Sequence, residues 1–480
     1  MRIPPGIGPF HIVGIGGIGM SAIAEILLEL GYRVQGSDMT DGANVARLRQ
    51  RGMQVFIGHK PGNIEGAAYV VISSAVKAGN IEFDAARERG IPIIRRAEML
   101  AELMRFHSTV SVTGTHGKTT TTSLIAHLFD HAGLEPTAMS GGIINDWGTN
   151  ARHGKGEWMI VEADESDGTF MRLPTQIGVV TNIDPEHLDY YGSIDAMNMA
   201  FRTFFERIPF YGALIAGIDH PVVRAIVEDL GRERRRRVIT YGQSDDADLR
   251  LEALAQEGSR MRFEAALGER VHGGARLLDD LAIPVPGLYN VLNALAAIAA
   301  ASEVGIADEQ IRSGLASFGG VKRRFTPTGV WNGVAFYDDY AHHPVEILAV
   351  LEAARKATDG RVIAVVQPHR YTRLRALFDE FAASFGKADA VIVAPVYSAG
   401  EEPIEGVDHV ALSTAINKVG TSEAVAIEGE HELAPIIARF ARPGDLVIGL
   451  GAGSISEWSH ALPGLLNQPE LRAGAGGAAG

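Results

Sequence analysis

Short runs of apolar, largely β-branched residues recur along the chain. They include "HIVGI" from His11, "YVVIS" from Tyr69, "TVSVTG" from Thr109, "WMIVEAD" from Trp158, "IGVVTNI" from Ile177, "RVIAVVQ" from Arg361, "AVIVAPV" from Ala390 and "DLVIGLG" from Asp445. Stretches with helical spacing of apolar residues separate them. Strands that are apolar on both faces, alternating with amphipathic helices, predict parallel sheets covered on each side, so the fold class is α/β. A chain of 480 residues at about 100–200 residues per domain points to three domains. The pattern breaks near Phe106, where a helix Ala97–Arg105 hands over to a new strand. It breaks again in "SFGGVKRRF", Ser317–Phe325. The expected limits are 1–106 for a Rossmann-like domain, 107–322 for a central P-loop ATPase-like α/β domain, and 323–480 for a second Rossmann-like domain.

Composition narrows the function classes. Hydrophobic residues make up 46% and charged residues 21%, which is ordinary for a globular protein. The absence of cysteine removes disulfides, thiolate metal sites and a cysteine nucleophile. A net charge of −14 argues against sequence-blind nucleic-acid binding, which needs a basic footprint. The basic run "GRERRRRVIT", Gly231–Thr240, reads as a solvated helix end or loop, and the Gly/Ala-rich tail from Arg472 as disordered. Neither a secretory leader pattern nor an apolar stretch of membrane-spanning length is present, so the expectation is a cytoplasmic protein with no membrane partner. The oligomeric state is left open.

Two glycine loops carry the chemistry. Gly14-Ile15-Gly16-Gly17-Ile18-Gly19 follows a strand and opens a helix Ile18–Leu30, in the pattern G-x-G-x-x-G. Glycines allow close backbone approach to a diphosphate, and the helix N-terminus faces it with N–H groups. Asp38, at the end of the next strand, stands where an acid binds a ribose hydroxyl. The motif alone does not choose between NAD and another nucleotide diphosphate. The second loop, Gly114-Thr115-His116-Gly117-Lys118-Thr119, is a shortened form of G-x-x-x-x-G-K-[ST] with the same strand–loop–helix context. Lys118 is placed to reach ATP phosphates, and the Thr119 hydroxyl to take Mg²⁺. Glu162, Asp164, Glu165 and Asp167 end one buried strand, and Asp184 and His187 follow the next, where α/β folds gather polar groups. For the last two a helix cap and a surface ring are equally good readings.

Together, "GTHGKTTTT", "EADESD" and "TNIDPEHLDYY" resemble the Mur ligase family. "GIGGIGMSAIAE", "DDYAHHPVE", "QPHRYTR" and "GEEPI" extend the resemblance over nearly the whole chain. It implies an ATP- and Mg²⁺-dependent ligase that joins L-alanine to the lactyl carboxylate of UDP-N-acetylmuramate through an acyl phosphate, in peptidoglycan precursor synthesis. The first loop, with Gly16, Gly17, Ile18, Gly19, Ser37, Asp38, Ser73 and Ser74, would then hold the UDP substrate. ATP would lie on Gly114, Thr115, His116, Gly117, Lys118, Thr119 and Thr120, with Asn290, Asn293, Arg324, Asp339 and Tyr340. Metal would sit on Thr119, Glu162 and His187. Lys118, Glu162, His187, Arg324 and Asp339 would be catalytic, and His343, Arg370 and Arg373 would hold the amino acid. The family usually has His where this chain has Tyr289. Because these residues fall in different domains, the resemblance also implies domain closure about residues 319–325. Alternatives are a recycling ligase of the same family that takes a murein peptide, a folylpolyglutamate-type ligase, an NAD-dependent dehydrogenase and an ATP-driven regulator. The dehydrogenase leaves Lys118 and the acidic cluster unexplained.

Overall fold

A computed structural model of the chain describes residues 7–73, 76, 79–232 and 237–468. The expected ligand residue Ser74, positions 233–236 of the basic run and the Gly/Ala tail lie outside the described residues. The chain divides into two compact units. The first holds Met1–Ala253, Phe263–Leu281 and Leu292–Gly319, and the second holds Leu254–Arg262, Ala282–Val291 and Gly320–Gly480. The division thus falls between the two glycines Gly319 and Gly320.

The first unit carries one sheet whole and most of a second. One is parallel, with strands β1 (Phe10–Val13), β2 (Val34–Asp38), β3 (Gln54–Ile57), β4 (Tyr69–Ile72) and β5 (Ile93–Arg95) in the order β3-β2-β1-β4-β5. Its helices are α1 (Ile18–Glu29), α2 (Ala43–Gln50), α3 (Ile81–Glu88) and α4 (Arg96–Met104). The second sheet is built around β6 (Ser108–Thr113), which feeds α5 (Lys118–His131). It continues with β7 (Thr137–Ile144), β8 (Thr149–Arg152), β9 (Trp158–Glu162), β10 (Ile177–Val180), β11 (Ala213–Gly217), β12 (Val238–Gly242), β13 (Leu249–Glu257), β14 (Arg260–Leu267) and β15 (Arg276–Ile283). The spatial order is β15-β14-β13-β12-β11-β10-β6-β9-β7-β8. β6 therefore lies between β9 and β10, parallel to both. This is a point where strand order reverses, the usual place for a ligand crevice in open α/β sheets.

One apolar cluster joins the two sheets. It includes Ile12 of the first sheet with Ile23 and Leu27 of α1, and Met139, Met159 and Val161 of the second sheet. α1 is consequently buried along most of its length, from Met20 to Leu27. The second unit carries a sheet of β16 (Thr326–Trp331), β17 (Val334–Asp339), β18 (Val362–Val366), β19 (Ala390–Val393), β20 (Glu423–Ala426) and β21 (Leu446–Leu450), in the order β16-β17-β21-β18-β19-β20. Only the β16–β17 pair within it is antiparallel. The central strands β18, β19 and β21 are buried throughout, as their continuous apolar runs require. Among the described residues no helix is long and apolar enough to cross a membrane.

Candidate active site

The first glycine loop opens α1 and borders a cavity of about 790 Å³. Gly16, Gly17, Ile18, Gly19, Asp38 and Ser73, all expected at the UDP substrate, line it. Asp38 also holds the loop: its Oδ2 accepts from the Gly16 N–H (2.8 Å) and its Oδ1 from the Thr40 N–H (3.1 Å). Ser37 is placed differently. It is fully buried, and its hydroxyl is donated to Glu82 rather than turned to the cavity. His59, Asn80 and Arg96 also line the cavity and were not singled out from sequence. His59 and Arg96 each follow a short strand, β3 and β5, and that position was the available signal. The Arg96 guanidinium lies 3.7 Å from both Asp164 and Asp167 of the loop after β9.

The second loop lies at the carboxyl end of β6. Gly114 and Gly117 take positive φ, 129° and 83°. A Cβ on Gly114 would fall 2.2 Å from Thr181 Oγ1, and one on Gly117 would fall 2.5 Å from Asn293 Oδ1. The turn is therefore open only to glycine. It is tied to the end of β10: the His116 N–H donates to Asn182 Oδ1 (2.7 Å), and Thr115 Oγ1 accepts from the Asp184 N–H (2.8 Å). Lys118 donates to the carbonyls of Gly114 (2.6 Å) and Thr115 (3.0 Å) and pairs with Glu165 at 2.8 Å. Thr119 donates to Glu162 Oε1 (3.2 Å), while Glu162 Oε2 accepts from the Gly141 N–H (2.6 Å). Thr120 is buried in the first turn of α5, and Asn293 stands beside Gly117. Asn290, grouped with the second unit, donates to Pro286 O (2.7 Å).

The electrostatics of this loop follow from crowding. Burial alone would lower the Lys118 pKa, but Glu165, Asp164 and Glu162 surround the ammonium and raise it, so it keeps its charge. Burial pushes Glu165 up to about 7 against the attraction of Lys118, and burial likewise raises Glu162. Asp184 is held well below the usual range by hydrogen bonds from His116 and His220, with His220 Nε2 at 3.2 Å. His187 adopts φ 55° and brings Nε2 to 3.8 Å from both Glu165 and Glu186. Ligating atoms of these three residues all lie within 4.8 Å of one another. Two groups of donors thus flank Lys118: Thr119 with Glu162, and His187 with Glu165 and Glu186. The hydroxyl and carboxylate oxygens of both groups are the hard donors that Mg²⁺ takes.

In the second unit, the candidates gather at the carboxyl ends of β17, β18, β19 and β21. Asp339 is buried. Its two oxygens accept from the N–H groups of Phe325 (2.7 Å) and Ala341 (2.8 Å), and burial pushes its carboxyl up to about 6. Tyr340 has the guanidinium groups of Arg323 and Arg324 over its ring, at 4.8 Å and 5.1 Å. Arg323, missed in the sequence, donates to Gly451 O (2.7 Å) and fastens the loop after β21. His343 is the N-cap of the helix Pro344–Ala357 and accepts from the Val345 N–H. Arg370, with φ 71°, is engaged through Nε by Glu401 (2.6 Å). His369 stacks on Tyr397, and burial together with His342, Arg373 and Arg370 lowers its pKa to about 4. Tyr289, the departure from the family pattern, packs against the apolar core of this unit.

Two glycine loops at helix N-termini, with acids and a lysine at a strand-order reversal, are the features of a nucleotide-dependent enzyme of the α/β class. The family descriptions that match are "Mur ligase family, catalytic domain" over residues 9–108, "Mur ligase middle domain" over 112–301, and "Mur ligase, glutamate ligase domain" over 323–453. The chain belongs to the Mur ligase family. It is 56% identical to the UDP-N-acetylmuramate–L-alanine ligase of Methylorubrum populi, over 97% of this chain and 99% of the relative. It is 58% identical to the ligase of that name from Nitrobacter winogradskyi, again over 97% and 99%. Among solved structures, the UDP-N-acetylmuramate–alanine ligase of Thermotoga maritima matches with a TM-score of 0.79 at 28% identity, over 95% of this chain and 98% of that one. A murein peptide ligase from Psychrobacter arcticus shares the fold with a TM-score of 0.69 at 23% identity, over 96% and 99%.

Proposed function

We propose that the chain joins L-alanine to the lactyl carboxylate of UDP-N-acetylmuramate at the expense of ATP, releasing ADP and phosphate. Near-full-length identity to relatives named for that reaction carries the reading. The geometry supplies the physical means. A carboxylate is a poor electrophile, and phosphorylation gives it a leaving group. The protein's part is charge neutralisation and positioning rather than covalent chemistry. The cavity at α1 takes the UDP moiety, and the loop Gly114–Thr120 takes ATP. Lys118 keeps its charge because three carboxylates face it, so it is ready to exchange Glu165 for phosphate oxygens. Mg²⁺ would be held by Thr119 and Glu162, and by His187 with its acidic neighbours, and would supply further charge neutralisation at the phosphates. In the second unit, Arg324, Asp339, Tyr340, Asn290 and His343 are assigned to nucleotide and amino-acid handling. Arg370 and Arg373 are assigned to the carboxylate of alanine, whose planar geometry suits a guanidinium. The protein is assigned to the cytoplasm, where its nucleotide substrates are found.

Phosphate release from ATP with Mg²⁺ and UDP-N-acetylmuramate tests this, with L-alanine, glycine, L-serine and a murein tripeptide as acceptors. L-alanine should give the fastest turnover, and Lys118→Ala should lower it by at least about a hundredfold. Turnover with the tripeptide alone would transfer the protein to the recycling reaction.

A further inference from the structure

Glu82 has no part in the chemistry described so far. It sits at the start of α3, behind the cavity of the first glycine loop, and its side chain is wholly buried. Several donors nevertheless converge on it. Oε1 accepts from Asn63 Nδ2 (2.6 Å) and from the Lys60 N–H (3.2 Å). Oε2 accepts from Ser37 Oγ (2.5 Å) and His11 Nε2 (3.1 Å). Burial alone would raise the carboxyl, but the hydrogen bonds from His11, Ser37 and Asn63 outweigh it and hold it down to about 2. The group is a carboxylate and can only accept.

That fixes the direction of the bonds beyond it. Ser37 spends its proton on Glu82, so the Ser37 oxygen is left to accept. The neighbour 3.1 Å away is His59 Nδ1, which also lies 3.4 Å from Glu82 Oε2. Nδ1 must therefore carry a proton. In a neutral imidazole the other nitrogen, Nε2, is then an acceptor. His59 itself lines the cavity.

We propose that Glu82 is a positioning residue for nucleoside recognition: through Ser37 it fixes the His59 tautomer, so that the cavity wall presents Nε2 as an acceptor to a hydrogen-bond donor of the nucleoside. The inference rests on reading this cavity as the UDP-substrate site. In a uridine nucleotide the available donors are the imide N–H of the base and the ribose hydroxyls. Cytosine has an acceptor where uracil has the imide N–H.

The test is calorimetric binding of UDP, CDP and 2′-deoxy-UDP to the full chain, as wild type, Glu82→Gln and His59→Ala. A glutamine turns an N–H toward Ser37 or toward Asn63 and so breaks the ordered chain of donors. Glu82→Gln should weaken UDP about tenfold, the worth of one hydrogen bond to a positioned acceptor. It should raise KM for UDP-N-acetylmuramate by a similar factor while kcat at saturation and KM for ATP stay near wild type. His59→Ala, on the cavity wall, gives the same loss where Glu82→Gln does not fold. A wild-type preference for UDP over CDP that His59→Ala erases assigns the imide as donor, and a preference over the deoxy nucleotide assigns the ribose. ¹⁵N spectra of histidine-labelled wild type should show the His59 proton on Nδ1. A proton on Nε2, or UDP affinity unchanged in a folded Glu82→Gln or in His59→Ala, would overturn the proposal. Wild type that fails to bind UDP at all would instead remove the reading of the cavity on which it rests.

Discussion

Glu401 illustrates how much one carboxylate can organise. Burial alone would raise its pKa, but the Thr372 hydroxyl and N–H and the Arg370 guanidinium hold it down to about 2. Its folded pKa lies below its unfolded value of 4.5. The stability it contributes is therefore fully present above pH 4.5 and is lost as pH falls toward 2. With Arg370 partly exposed, Glu401→Gln should cost about 1–2 kcal/mol at pH 7. Chemical unfolding at a series of pH values should show this difference shrinking below pH 4.5, and a constant difference would remove the carboxylate's charge from the account. Arg370 belongs to the same argument. The resemblance made it a reader of the amino acid's carboxylate, and the structure shows Glu401 already engaging its guanidinium through Nε. That pairing spans 31 positions and has no local signature.

At the scale of elements, the two loops were legible because their demands are local. A strand, a glycine turn and a helix N-terminus must follow one another directly, and the apolar runs mark the strands. Gly114 shows how strict the turn is. In Gly114→Ala, the new Cβ meets Thr181 Oγ1 and also the Asn182 backbone oxygen at 2.9 Å, in a left-handed conformation. Strain of about 1–3 kcal/mol plus the clash should lower the thermal midpoint and abolish ATP binding, read by calorimetry with and without nucleotide. Asp339 was read from resemblance as a nucleotide ligand. The structure shows it first as the clasp of a strained turn, with Arg323 at φ 65° and Phe325 at φ 48°. Asp339→Ala orphans two backbone N–H groups and should destabilise by about 2–4 kcal/mol. An unfolding midpoint equal to wild type would restore a purely ligand-binding role. Nothing in "FYDDYAHH" separates the clasp from a ligand, because its partner Phe325 lies 14 residues earlier.

For the whole molecule, the two units should report separately on ligands. Both glycine loops belong to the first unit. UDP at a hundred times its Kd should stabilise that unit by about 2.7 kcal/mol and raise its transition in scanning calorimetry. If UDP shifts only the transition of the second unit, the loop at α1 is not its site. The sequence by itself determined the α/β class, the positions of both phosphate loops, the acids at the ends of β9 and β10, and membership of the family. Each of these rests on periodicity or on motifs contained within a few turns of chain. Only the tertiary structure decided that the first two sheets share one core, that Ser37 serves Glu82 rather than the cavity, that Glu165 pairs with Lys118, and that His59 and Arg96 stand in the cavity wall. Those facts depend on which strands lie side by side. Strand order is set by the packing of whole sheets and helices, and residues 22 to 71 positions apart meet only after that packing is complete.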